Sequence, residues 1–165
     1  MDECNLREWF CNNIQEMHDS IYRVAYTILH NNTDCEDAAG NAILLAYQNI
    51  YQLRNRNKFK AWLMRILKNE CYAILRSREQ TLPGFHEIII ESDNRPDIDL
   101  HDAIKRLRVE YRVSIVLYYL EGYRVNEIAQ ILEVPDGTIK SNLSRARSEL
   151  RLILKDWEET KYETK

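Results

Sequence analysis

Glycine and proline are scarce, at 4 and 3 of 165 residues. Many-stranded folds need frequent turns, and turns draw on those two residue types, so an all-α protein is expected. Histidine is thin as well: His18, His30, His86 and His101 are scattered along the chain. There is no glycine-rich phosphate loop, and no nucleophile stands beside a base in a recognisable motif, so no catalytic residue is assigned and no enzyme is expected. The four cysteines, Cys4, Cys11, Cys35 and Cys71, form no Cys-x-x-Cys pair and have no histidine at ligand spacing. They read as free thiols in a reducing compartment, with no metal site and no cofactor. The opening MDECNLREWF lacks the basic and apolar segments of a signal peptide. The longest apolar run, 113–120, is interrupted by Ser114 and is too short to cross a bilayer. A cytoplasmic protein without membrane insertion is expected.

What the chain does have is enough apolar residue to bury, 45 %, and a segregated charge. Its net charge of −3 conceals two basic islands. Arg54, Arg56, Lys58, Lys60, Arg65, Lys68, Arg76 and Arg78 lie in one stretch with Glu70 as its lone acid. Lys140, Arg145, Arg147, Arg151 and Lys155 lie in another with Glu149. Two basic islands on an acidic background point to two surfaces for a polyanion; two solvated helix faces are the plainer alternative.

Apolar spacing predicts helices over 6–17 and 19–29, the second carrying Ile21, Val24, Ala25 and Ile28 on one face. Asn31-Asn32 breaks the pattern, and Asp34 reads as the N-cap of a helix to about residue 51, with Glu36 and Asp37 in its first turn. A polar, basic loop at 53–58 precedes a long helix over 59–78. Residues 79–98 hold Pro83, Gly84, Pro96 and five acids, and read as a linker, since loops this long are uncommon inside compact domains. Further helices are predicted over 99–108, 110–120, 125–132 and from Asp136, as N-cap, to about 157, with Gly122 as a stop. The expected architecture is therefore two small helical domains, 1–78 and 99–165, joined by the linker at 79–98, the second containing a helix-turn-helix.

That helix-turn-helix is the most specific local signal. Ile139, Leu143, Ala146, Leu150, Ile153 and Leu154 share one face of the last helix. Thr138, Ser141, Ser144, Arg145 and Ser148 lie nearly opposite, and Lys140, Arg147 and Arg151 line the flank. Small hydroxyls let a helix approach base edges, and flanking cations neutralise phosphates. Ala129 is small where two crossing helices must touch, and the turn Glu133-Val134-Pro135-Asp136 restarts the helix. In the first island, Phe59, Leu63, Ile66, Leu67 and Ile74 form an apolar stripe, while Arg65, Lys68, Asn69, Tyr72 and Arg76 share the other face. An aromatic among basic and amide groups suits stacking on unpaired bases. The loop Arg54-Asn55-Arg56-Asn57-Lys58 is rich in donors and could hold a base drawn from the stack. Trp62 reads as core.

These two islands, in this order and separation, resemble the extracytoplasmic-function (ECF) group of sigma-70 family sigma factors, the promoter-specificity subunits of bacterial RNA polymerase. The resemblance covers about residues 20–154. Asp34-Cys35-Glu36-Asp37-Ala38 resembles the opening of the family's polymerase-docking helix. Phe59-x-x-Trp62-Leu63-x-x-Ile66-x-x-x-Asn69 resembles the segment that reads and opens the −10 element. Asn126-Glu127-Ile128-Ala129, Gly137 through Ser141 and Leu143-x-Arg145-Ala146-Arg147 resemble the −35 reader. The chain departs from the family pattern at Gly40-Asn41, Arg108, Glu133, Pro135 and Asn142. The resemblance implies core polymerase docking through Asp34, Glu36, Asp37, Asn41 and Leu44. It implies −10 contacts through Arg54, Asn55, Arg56, Asn57, Lys58, Arg65, Lys68, Asn69, Tyr72 and Arg76. It implies −35 contacts through Thr138, Lys140, Ser141, Asn142, Ser144, Arg145, Arg147 and Ser148. Core RNA polymerase, promoter DNA and an anti-sigma factor are the implied partners. A helix-turn-helix regulator that binds duplex DNA as a dimer without polymerase is the alternative, and it leaves the first island unexplained.

Overall fold

The computed structural model describes residues 3–81 and 100–163, with side chains described over 4–80 and 100–155. Helices α1 (Glu3–Leu29), α2 (Asn32–Gln48) and α3 (Phe59–Thr81) form the first half; α4 (Leu100–Lys105), α5 (Val109–Ile115), α6 (Val125–Leu132) and α7 (Asp136–Glu163) form the second. Two short 3-10 turns, Ile50–Gln52 and Arg56–Lys58, join α2 to α3, and no strand occurs among the described residues. Most of the predicted linker lies outside the described residues, and its first three positions belong to the last turn of α3.

Helix boundaries differ from the sequence expectation, and three of the differences have a clear local cause. The two helices predicted before residue 30 are one, because Phe10, Met17, Ile21, Val24, Ala25 and Ile28 continue a single buried stripe through Asp19 with no Gly or Pro to stop it. The N-cap of α2 is Asn31, not Asp34: the Asn31 side chain accepts from the Asp34 N–H at 3.0 Å. Asp34 sits in the first turn, paired with Arg78 at the far end of α3. The N-cap of α7 falls on Pro135, whose carbonyl accepts from Thr138 N–H at 2.9 Å, so Asp136 is the first helical residue and not the cap.

The first half packs α3 against α1 and α2. Phe59, Leu63, Met64, Leu67 and Cys71 of α3 are fully buried, and each such apolar side chain contributes about 1.5–3 kcal/mol. The Phe59 ring meets Trp9 and Phe10 edge-on, at centroid separations of 5.0 and 5.6 Å. In the second half, Ile128, Ala129 and Ile131 of α6 bury against Ile139, Leu143 and Ala146 of α7. Helix α5 does not end at Ile115 but continues as a π-turn over Val116–Leu120, where Glu121 N–H reaches back to the Val116 carbonyl at 3.0 Å. Gly122 follows at φ +72°, which a residue with a Cβ adopts only under strain.

The two halves share one continuous core. They touch along α1 with α5 and α3 with α6. Arg112 is the most deeply buried polar tie: its Nε donates to the Thr27 carbonyl of α1 at 2.7 Å, and Nη1 to the carbonyls of Lys105 and Leu107. His30, at φ +50°, packs edge-on against Tyr26, and neither of its ring nitrogens has a hydrogen-bond partner among the described residues. Burial first, then the Arg112 and Lys105 charges, lower its pKa from the ordinary 6.5 to about 4. Burial likewise raises the thiols of Cys35 to about 11 and Cys71 to about 12, which leaves them protonated and inert.

Two outcomes are expected. Arg112→Met should lower the unfolding free energy by at least about 2 kcal/mol in urea melts, because it strands buried carbonyls that its aliphatic replacement cannot serve. His30 must be neutral in the folded chain but protonates readily once unfolded, so the melting temperature should fall as pH drops from about 6.5 towards 4. The His30→Asn variant, which tolerates the left-handed backbone, should flatten that acid limb; an unchanged limb would assign it to other groups.

Candidate nucleic-acid interface

The helix-turn-helix begins where α6 is held at both ends. At its start, the Glu127 carboxylate accepts from Arg124 N–H at 2.8 Å. At its end, Glu133 adopts φ +59°, ψ +42°, and Val134 N–H returns to the Ala129 carbonyl at 3.1 Å. A left-handed residue other than glycine costs on the order of 1 kcal/mol, so something else must favour glutamate there. The reversal brings α7 across α6, with Ala129 at the contact as its size predicted.

On α7, burial of Ile139, Leu143 and Ala146 turns the opposite face outward. Thr138, Lys140, Ser144, Arg145, Arg147 and Ser148 are exposed and share it or its flank. Ser141 is half-buried. Asn142 is not on that surface: it is buried, at 9 % exposure, next to Leu143 in the stripe that meets α6. It lies at the edge of the apolar arc, so the exposed face as it stands does not include this expected DNA contact. Ser148 spends its hydroxyl on the Ser144 carbonyl at 3.2 Å, and Arg147 reaches the Tyr119 hydroxyl at 3.4 Å.

The first island is arranged differently. Arg54, Asn55, Arg56, Asn57 and Lys58 are all exposed on the 3-10 connection. Asn55 caps it by accepting from Asn57 N–H at 3.0 Å, and the Arg56 guanidinium lies over the Trp9 ring, 4.8 Å from its centroid. Along α3, Arg65, Asn69 and Arg76 are exposed and Tyr72 is half-buried. Lys68 is not exposed as the periodicity implied: it is 7 % accessible, because the turn after α6 covers it. Glu133 Oε2 lies 2.7 Å from Lys68 Nζ, and Glu133 Oε1 lies 2.5 Å from Arg65 Nη2. The Lys68 hydrogen bond, reinforced by Arg65, holds the Glu133 carboxyl below its usual range. A second ion pair, Arg23 to Glu121 at 2.5 Å, also joins the halves, and the Glu121 side chain is nearly enclosed. Sequence periodicity could not have found either pair, since the partners are 68 and 98 positions apart.

On α2, Glu36, Asp37, Asn41 and Leu44 are exposed, and Leu44 keeps 55 % of its surface free. Leu45, Tyr47 and Tyr51 extend that exposed apolar strip. Asp34 is half-buried and engaged by Arg78, so its carboxylate is committed inside the chain. The π-turn exposes Tyr118, Tyr119 and Leu120, which sequence periodicity had continued as helix. Among the described residues no cluster of His, Cys, Asp or Glu is arranged to hold a metal ion, and no helix is long and apolar enough to cross a membrane.

Known proteins share this arrangement. The sigma-70 region 2 family matches residues 14–81, and the sigma-70 region 4 family matches residues 97–150. The chain is 30 % identical over 158 residues to the ECF RNA polymerase sigma factor SigW of Bacillus subtilis strain 168, covering 84 % of each chain. It is 28 % identical over 146 residues to the sigma factor SigV of the same organism, covering 86 % of this chain and 88 % of that one. Among solved structures, the sigma factor RpoE of Bartonella quintana, crystallised with the anti-sigma factor NepR, superposes with a TM-score of 0.75 at 27 % identity, over 88 % of this chain and 96 % of that one. The fold is also that of CnrH, solved with the cytosolic domain of CnrY, with a TM-score of 0.68 at 18 % identity.

Proposed function

Because this chain belongs to the ECF group of RNA polymerase sigma factors, we propose that its two halves divide promoter recognition between them. It is a sigma factor: it binds core RNA polymerase and promoter DNA in transcription initiation and performs no chemistry of its own. Its place of work is the cytoplasm, with the polymerase. The observation that carries the division of labour is the sorting of α7, where a buried Ile139–Leu143–Ala146 stripe forces Thr138, Lys140, Ser144, Arg145 and Ser148 outward together. That face fits the major groove of the −35 element, with Arg145 on a base edge and Lys140 and Arg147 on phosphates.

The α3 face with Arg65, Lys68, Asn69, Tyr72 and Arg76, and the 54–58 connection before it, captures unpaired bases of the −10 element. The 3-10 connection supports this, since its donors project from a backbone already closed by Asn55. Glu36, Asp37, Asn41 and the exposed Leu44 of α2 form the polymerase contact. The domain division is at residues 1–78 and 99–165. An anti-sigma factor completes the set of partners, as RpoE of Bartonella quintana was crystallised with one. Nothing in the fold favours a dimeric regulator that dispenses with polymerase.

Run-off transcription with purified core polymerase on a genomic library tests the whole reading; discrete starts should depend on added chain. Arg145→Ala should weaken discrimination at the −35 element by about 1–3 kcal/mol, and an unaltered promoter preference would remove Arg145 from the base-reading set. Asn69→Ala combined with Tyr72→Ala should leave duplex binding by the holoenzyme in place while suppressing permanganate reactivity around the −10 element. Undiminished reactivity would place strand capture elsewhere.

A further inference from the structure

Asp34 opens the acidic first turn of α2, beside Glu36 and Asp37, yet its carboxylate turns inward onto Arg78 in the last turn of α3. Both side chains are partly enclosed, with 18 % and 31 % of their surfaces free. The pair joins the far end of the antiparallel α2–α3 hairpin, opposite the 49–58 connection. Each charge sits where its own helix dipole favours it, the acid at the start of α2 and the cation at the end of α3. The backbone is fixed at the same point, because Asp34 N–H donates to Asn31 Oδ1 at 3.0 Å. Between the two ends of the hairpin, the α2 side of the seam is Cys35, Ala38, Ala42 and Ala46. Side chains this small let helices lie close but offer shallow ridges, so they fix axial register and rotation weakly. Gly40, midway along α2, lowers that helix's own stability as well. The ends of the hairpin therefore set how α2 is held, and Glu36 and Asp37 stand two and three positions from the Arg78 tie, exposed on its outer side.

We propose that Asp34 and Arg78 are a positioning pair: their ion pair clasps the start of α2 to the end of α3 and sets the pose in which the outer face of α2 meets core polymerase. This rests on the assignment of Glu36, Asp37, Asn41 and Leu44 to that contact. Asp34 acts on polymerase binding through Arg78, without touching the polymerase itself. Arg78, the last cation of the first basic island, is committed to the protein and not to a phosphate. Because α3 also carries the face assigned to unpaired bases, the clasp holds the polymerase-facing and strand-facing helices in one fixed relation.

The test is a double-mutant cycle on the full chain, dye-labelled and titrated with purified core polymerase, at a temperature where circular dichroism shows every variant folded. Asp34→Asn and Arg78→Gln keep side-chain size and remove one charge each. Each should weaken core binding by about tenfold, and the two combined should cost no more than either alone, as for residues that act as one unit. Arg78→Lys, which keeps the charge, should regain most of the binding that Arg78→Gln loses. Losses that multiply in the double variant would overturn the positioning role, since each residue would then act separately. A loss in Asp34→Asn with none in Arg78→Gln would also overturn it and make Asp34 a direct polymerase contact. So would the absence of any regain in Arg78→Lys. Leu44→Glu, on the exposed side of α2, judges the underlying assignment. Undiminished binding by that variant would remove α2 from the polymerase contact and the positioning role with it. Lost binding there, beside undisturbed Asp34 and Arg78 variants, would keep the contact and remove the positioning role alone.

Discussion

Burial of one stripe of α3 decides what the rest of the molecule can present. Phe59, Leu63, Met64, Leu67 and Cys71 are sealed against α1 and α2. At 100° per residue, that leaves positions 65, 69, 72 and 76 on or near the opposite side. The cations do not choose that side; they are left there by the apolar set. The same logic runs through α7, where Ile139, Leu143 and Ala146 fix the exposure of Thr138, Ser144 and Arg145. In both helices a rigid apolar seam makes an ordered polar face, and a reading surface needs side chains held at fixed spacing.

The helices, their order and the turn between α6 and α7 were legible because each rests on local periodicity and on few chain-breaking residues. The 125–132 helix is observed with its predicted bounds. What failed locally failed for local reasons. Asp19 resembles a helix start in isolation, but an unbroken stripe from Phe10 to Ile28 overrides it. Asp34 is a good N-cap type, yet Asn31 takes the position by accepting from the Asp34 N–H itself. The π-turn at Val116–Leu120 moves Tyr118 and Tyr119 out of register, and nothing in an apolar run announces one extra residue per turn.

The candidate site was legible in composition and only partly in placement. Both basic islands read directly from the sequence, and most of their residues are exposed. Asn142 and Lys68 are buried, for different reasons. Asn142 lies at the edge of its own helix's apolar arc, one position before Leu143. Lys68 is on the polar side of α3 and is buried by a segment 65 residues away. Periodicity reports a residue's face; it carries no information about which distant segment will cover that face.

That difference has an energetic side. An apolar contact between the halves alone would be indifferent to salt and to nucleic acid. Here the contact also uses charges, with Arg65 and Lys68 on one side and Glu133 on the other. Arg112, by contrast, ties the halves with hydrogen bonds to main-chain carbonyls, which DNA cannot displace by supplying phosphates. The two ties therefore respond to different things, the first to ionic competition and the second to disruption of buried packing.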